Sequence, residues 1–116
     1  MSEQPFLSVI IPAYKEEQRI HKILEAIEKY QADAKFVTEI LVVLDGSPDD
    51  TLAATKKFEG RVKNLKIIDR KENKGKGLTV SGGMLKATGK YRIFADADNS
   101  TPFHQVDRLL DYVLMS

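Results

Sequence analysis

Residues 39–51 read EILVVLDGSPDDT, and the organisation of the whole chain follows outward from them. Ile40 to Leu44 is an unbroken apolar run rich in branched side chains, the pattern of a strand buried on both faces. The turn-forming residues Asp45-Gly46-Ser47-Pro48 stop it, and Asp49 or Asp50 can cap a helix that carries Leu52, Thr55 and Phe58 inward.

The same alternation repeats on either side. Upstream, Leu7 to Ile11 reads as a second doubly buried strand, expected to end at Pro12. Ile20, Ile23, Leu24 and Ile27 then recur at helical spacing, and Glu16 and Glu17 are expected in the first turn, where negative charge is favoured. Downstream, Leu65 to Ile68 makes a third strand, and a polar stretch from Arg70 to Lys76 leads into a helix from about Gly77 that is expected to stop at Gly89. Tyr91 to Ala95 is a fourth strand, and Thr101 and Pro102 open a last helix with Phe103, Val106, Leu110 and Val113 on its apolar face. The order βαβαβαβα predicts a Rossmann-like α/β fold: a parallel sheet with helices on both faces.

Residues 1–116 form one domain on this reading, with 42% hydrophobic and 30% charged residues and a formal net charge of +1. So small a charge supplies no field that would draw the chain to nucleic acid. There is no cysteine, which excludes disulfides and thiolate metal sites. No apolar run is long enough to span a bilayer, and the N-terminus lacks the basic start of a signal peptide. The expected location is cytoplasmic, with a peripheral membrane attachment left open.

In such a sheet the ligand belongs beyond the carboxyl ends of the strands. The polar groups expected there are Tyr14 to Glu17, Asp45 to Asp50, Arg70 to Lys76 and Asp96 to Thr101, converging on one edge. Asp96 and Asp98, one residue apart where the fourth strand ends, can share a hard divalent cation, Mg²⁺ or Mn²⁺. The same residues also suit a plain capping loop, but their position facing three other polar loops favours the metal. Asp45 can accept a hydrogen bond from a base or a ribose hydroxyl, or serve only as a turn residue. Asn73-Lys74-Gly75-Lys76-Gly77 precedes a helix, so its amides and lysines can meet phosphate; a solvated basic loop is the alternative. Val80 breaks the GxGxxG pattern and no Walker sequence occurs, which weakens dinucleotide and ATPase readings. Tyr14 can lie against a base or stand as a surface aromatic. His21 and His104 have no partner histidine at metal-ligand spacing and read as structural or solvent-facing.

Four blocks in order, SVIIPAYKEE (8–17), EILVVLDGSPDDT (39–51), NKGKGLTVSGGMLKATGKY (73–91) and FADADNSTPF (94–103), closely resemble glycosyltransferase family 2, whose members share the GT-A fold. The last two blocks look most like the branch that transfers glucose or mannose to dolichyl or polyprenyl phosphate. The resemblance implies that Pro12, Ala13, Tyr14 and Glu16 form the first donor-binding loop and that Asp45 recognises base or ribose. It further implies that Lys76 lies beside the diphosphate, that Asp96 sits near the ribose, and that Asp98, with Asp96, holds the metal. Lys15 stands where the family often has Asn, and Leu44 where it often has a second Asp.

The resulting expectation is the donor-binding part of a metal-dependent glycosyltransferase, taking UDP-glucose or GDP-mannose and ending before the acceptor-binding part. A lipid phosphate is the expected acceptor, and self-association through an open sheet edge is expected as well. The alternative is a non-catalytic nucleotide-binding or structural α/β module.

Overall fold

The computed structural model describes residues 4–34 and 36–99. Four strands and three helices alternate: β1 (Leu7–Ala13), α1 (Ile20–Asp33), β2 (Thr38–Asp45), α2 (Thr51–Lys56), β3 (Leu65–Arg70), α3 (Lys76–Lys86) and β4 (Tyr91–Phe94). All pairings are parallel, and the sheet order is β3-β2-β1-β4. After β3 the chain therefore crosses back over the sheet to reach the far side of β1. The expected last helix, with Phe103, Val106, Leu110 and Val113, lies outside the described residues, as do His104 and the end of the Asp96–Thr101 group.

β2 is buried along its whole length because both of its faces are covered. Pleating sends alternate side chains to opposite sides. Val9, Ile11, Ile40, Val42 and Leu44 meet Ile20, Ile23, Leu24 and Ile27 of α1, together with Phe58 and Val62 from the segment after α2. Ile10, Leu41 and Val43 meet Ala87 and Met84 at the end of α3 on the other face. Two apolar layers sandwich the sheet, as the alternation of elements predicted.

Three local expectations are corrected. Pro12 does not end β1, which runs through it to Ala13 in register with β2, Pro12 opposite Val43. The carbonyl of Ile10 accepts from Ala95, so the even-numbered backbone groups of β1 face β4. β4 has already ended at Phe94, so the N–H that proline lacks is not needed there. Glu16 and Glu17 are not in the first turn of α1 but in the turn before it, where the Glu16 carbonyl accepts from Arg19 and Ile20. Gly89 does not end α3, which stops at Lys86 with Ala87 already extended. It is glycine because a Cβ there would lie 2.5 Å from Ser8 Oγ and 2.7 Å from Ser8 N.

A buried carboxylate ties the base of the sheet together. Glu39, 1% exposed, accepts from Ser8 Oγ at 2.7 Å, from the Thr88 amide at 2.9 Å, from Thr88 Oγ1 at 3.0 Å and from Lys66 Nζ at 2.5 Å. Ser8 Oγ in turn accepts from the Gly89 amide. One side chain thus links β1, β2, β3 and the connection into β4. Burial pushes its ionisation up, but the lysine and the surrounding donors outweigh burial and hold it at about 2.

Among the described residues, β3 and β4 are the edges of the sheet, and no helix is long and apolar enough to cross a membrane. Phe94 on β4 and Leu78 and Leu85 on α3 are exposed.

Candidate functional site

The strand order reverses between β1 and β4, and ligands in open parallel sheets bind where that reversal opens a crevice at the carboxyl ends. A cleft of about 500 Å³ occupies this place. Pro12, Ala13, Tyr14 and Glu16 reach it from the end of β1, Asp45 from β2, Asn73, Gly75, Lys76 and Thr79 from the start of α3, and Asp96, Ala97 and Asp98 from the end of β4. Pro12, Ala13, Tyr14, Glu16, Asp45, Lys76, Asp96 and Asp98, the donor- and metal-binding candidates from the sequence, share this one lining, whereas Asp49, Asp50, Arg70 and Lys71 line a neighbouring cleft. A second cleft of about 540 Å³ opens at the opposite ends of the strands, beside Phe6, Lys63 and Lys90, with no carboxylate among the described residues that line it.

The first loop is held by its neighbour. Lys15 N–H donates to Ser47 Oγ at 3.1 Å, Glu16 N–H to Thr51 Oγ1 at 3.0 Å, and Glu17 N–H to Asp49 Oδ2 at 3.4 Å. The Asp50 amide donates back to the Glu17 carboxylate at 3.0 Å. Asp49 also accepts from the hydroxyl and amide of Thr51. Burial opposes ionisation of Asp49, yet these donors hold its carboxyl below the usual range. Of the two expected helix caps it is Asp49, not Asp50, whose side chain bonds the start of α2. Lys15 adopts a left-handed backbone, φ 54°, where asparagine is at ease and lysine is not. Its ammonium lies 5.4 Å from the ring centroid of Tyr14, which is 40% exposed at the rim.

Asp45 is buried, and its carboxylate organises the wall of the cleft. One oxygen accepts from the Lys74 amide at 2.7 Å and the other from the Gly75 amide at 3.0 Å. Charge-assisted bonds of this kind contribute about 1.5–3 kcal/mol each when not shared with water. Gly46 makes the approach possible: it adopts φ 67°, and a Cβ there would lie 2.6 Å from Asn73 N. Each Asp45 oxygen keeps acceptor capacity on its remaining lone pairs. Leu44 points the other way, into the core with α1.

Charge is unevenly spread across the mouth. Lys76 Nζ lies 2.9 Å from Asp96 Oδ1, and the positive end of α3 faces the same space. Arg19 is fixed by Glu16 at 2.7 Å and by the Lys15 carbonyl at 3.0 Å. Its guanidinium pKa is raised, first by the hydrogen bond to Glu16, with Asp98 and Asp49 adding smaller contributions. Among the described residues no three His, Cys, Asp or Glu side chains gather as a metal-ligating set. Two carboxylate positions flanking Ala97 nevertheless suit a hard cation that completes its shell with water and phosphate oxygens. The residues present fit Mg²⁺ or Mn²⁺ on that basis. His21 is exposed on α1 and does not line the cleft.

Asn73 and Gly75 of the expected phosphate loop line the cleft, as does Thr79, which sequence reasoning did not name. Thr79 could have been found, being a hydroxyl one turn into a helix that starts at a glycine loop; it donates to the Gly75 carbonyl at 2.8 Å. Arg19 carried no such signal, because its proximity to Asp98 depends on how the first loop folds.

Known proteins resemble this chain along most of its length. Dolichyl-phosphate beta-glucosyltransferase from Drosophila melanogaster is 38% identical over 110 residues, covering 89% of this chain and 34% of its own length. The protein of that name from Saccharomyces cerevisiae is 38% identical over 117 residues, covering 96% of this chain and 35% of its own length. The chain thus spans about a third of the length of the curated relatives it matches. Among solved structures, S. aureus TarS 1-349 in complex with UDP-GlcNAc superposes with a TM-score of 0.73 at 28% identity, over 91% of this chain and 31% of that one. The family described as Glycosyl transferase family 2 matches residues 8–114. With a GT-A-like parallel sheet and a family match over nearly all of its length, the chain belongs to glycosyl transferase family 2.

Proposed function

We propose that the chain is the donor-binding part of a metal-dependent glycosyltransferase. It holds a nucleoside-diphosphate sugar, of the UDP-glucose or GDP-mannose class, in the cleft between β1 and β4, for transfer to a lipid phosphate such as a polyprenyl phosphate. The observation that carries the reading is the convergence of Tyr14, Glu16, Asp45, Lys76, Asp96 and Asp98 on one crevice at the switch point of the sheet. The relatives named for dolichyl phosphate and the neighbour solved with UDP-GlcNAc support it.

In this reading Tyr14 offers its ring face to the base at the rim. Asp45 acts twice: it fixes the residue 74–75 amides, and its remaining lone pairs accept from base or ribose. Lys76 and the start of α3 hold the diphosphate by charge and by backbone N–H groups. Asp98, with Asp96 nearer the ribose, provides the oxygen ligands for Mg²⁺ or Mn²⁺. Bound there, the cation supplies a Lewis acid that neutralises the diphosphate as it leaves. A lipid phosphate is already an anion, so attack through its oxygen requires no general base.

Isothermal titration of UDP-glucose and of GDP-mannose in Mn²⁺ tests the donor assignment. The expected result is binding of one donor that weakens strongly in EDTA. Equal heats with and without metal would remove the metal from the account, and no binding of either donor would overturn the donor-binding reading.

A further inference from the structure

The same cation-bearing side chain that is suited to grip phosphate is paired in the cleft with a metal-ligand candidate. Lys76 Nζ lies 2.9 Å from Asp96 Oδ1, and its ammonium is also 5.9 Å from the ring centroid of Phe94 at the end of β4. Lys76 opens α3 on one wall and Asp96 follows β4 on the other, so the pair bridges the mouth of the cleft. An ammonium and a divalent cation cannot share one carboxylate without repelling each other.

We propose that the Lys76–Asp96 ion pair is a lock on the metal site, opened when the diphosphate of a bound nucleotide draws Lys76 off Asp96. The proposal rests on the functional reading above and adds an order to it: the free chain binds divalent cation weakly, and nucleotide and cation then bind with mutual assistance. Two carboxylates next to one lysine make a poorer cation site than two carboxylates alone, whereas a diphosphate removes the lysine's charge from Asp96 and adds phosphate ligands. Because the pair is more than a third exposed on both sides, water screens it and the lock is modest. Its effect is therefore a shift in affinity and not an all-or-none gate.

Two reciprocal titrations test it on the purified chain, with folding of each variant checked by circular dichroism. Mn²⁺ binding, followed by electron paramagnetic resonance without nucleotide, is expected to tighten by about three- to tenfold in Lys76→Met. It should stay near wild type in Lys76→Arg, which preserves the pair. UDP binding in EDTA is expected to tighten in Asp96→Asn, since that change frees Lys76 for phosphate. Unchanged or weaker Mn²⁺ binding in Lys76→Met would overturn the lock, as would unchanged or weaker metal-free UDP binding in Asp96→Asn. If neither UDP nor GDP binds any of the proteins with Mn²⁺ present, the donor-binding reading falls, while the Mn²⁺ comparison still decides whether Lys76 holds the cation off Asp96.

Discussion

Replacing Glu39 by glutamine should cost a large share of the stability of so small a domain. The side chain keeps its shape but no longer carries the charge that faces Lys66, the Ser8 and Thr88 hydroxyls and the Thr88 amide. An amide also places its NH₂ against one of those donors. An ordinary glutamate ionises near 4.5 and Glu39 at about 2. At roughly 1.4 kcal/mol for each factor of ten in the ionisation constant, the folded state favours the charged form by about 3 kcal/mol. Against a typical total of about 5–15 kcal/mol, this is a large share. For a chain of this size it corresponds to a fall in Tm of about 10 °C. The pH dependence has a definite sign. Because folding lowers the pKa, the contribution is complete above about pH 4.5 and is lost as the pH falls through about 2. Urea denaturation of wild type and Glu39→Gln at pH 7 should differ by about 3 kcal/mol, and the gap should close between pH 4.5 and 2. A difference below about 1 kcal/mol at pH 7, or a gap independent of pH over that window, would refute the argument that ionised Glu39 holds the base of the sheet.

Other consequences are equally open to measurement. Lys15→Asn should stabilise the chain by about 0.5–1 kcal/mol in denaturant, because asparagine tolerates the left-handed backbone that lysine adopts there. Gly46→Ala should cost about 3 kcal/mol, since the new Cβ combines an unfavourable φ with a clash against the Asn73 amide. Calorimetric titration of Asp98→Ala should reveal donor binding no longer strengthened by Mn²⁺, and an undiminished metal effect would remove Asp98 from the ligand role. Among the described residues β4 is a sheet edge and Phe94 is exposed, which favours pairing with a second copy, so light scattering should give a mass that rises with concentration. A constant monomer mass would dismiss that contact.

How much of this was legible in the sequence follows from what each signal depends on. β2 was readable because burial on both faces leaves an unbroken apolar run, and α1 because its four isoleucine and leucine positions repeat on one face. The site was readable for a related reason: in a parallel sheet, polar residues that directly follow buried strands share one end of the molecule. Pro12 was misread because the consequence of a missing N–H depends on where β4 stops, which lies more than 80 residues along the chain. Gly89 was misread because a helix-ending glycine and a close-approach glycine look identical until Ser8 is known to lie beneath it. Glu39 carries no local signal in the sequence. Its burial is made by Ser8, Lys66 and Thr88, none of them near it in sequence.

Where a nucleotide sugar binds is the decisive question. Backbone amide chemical shifts recorded while UDP-glucose and then GDP-mannose are titrated into the chain with Mg²⁺ answer that directly. The expected result is that one donor moves the amides of Ala13 to Glu16, Asp45, Asn73 to Thr79 and Ala95 to Asp98, all around the cleft at the carboxyl ends of the strands. Shifts confined to the opposite end, around Phe6, Lys63 and Lys90, or no shifts with either donor, would contradict it.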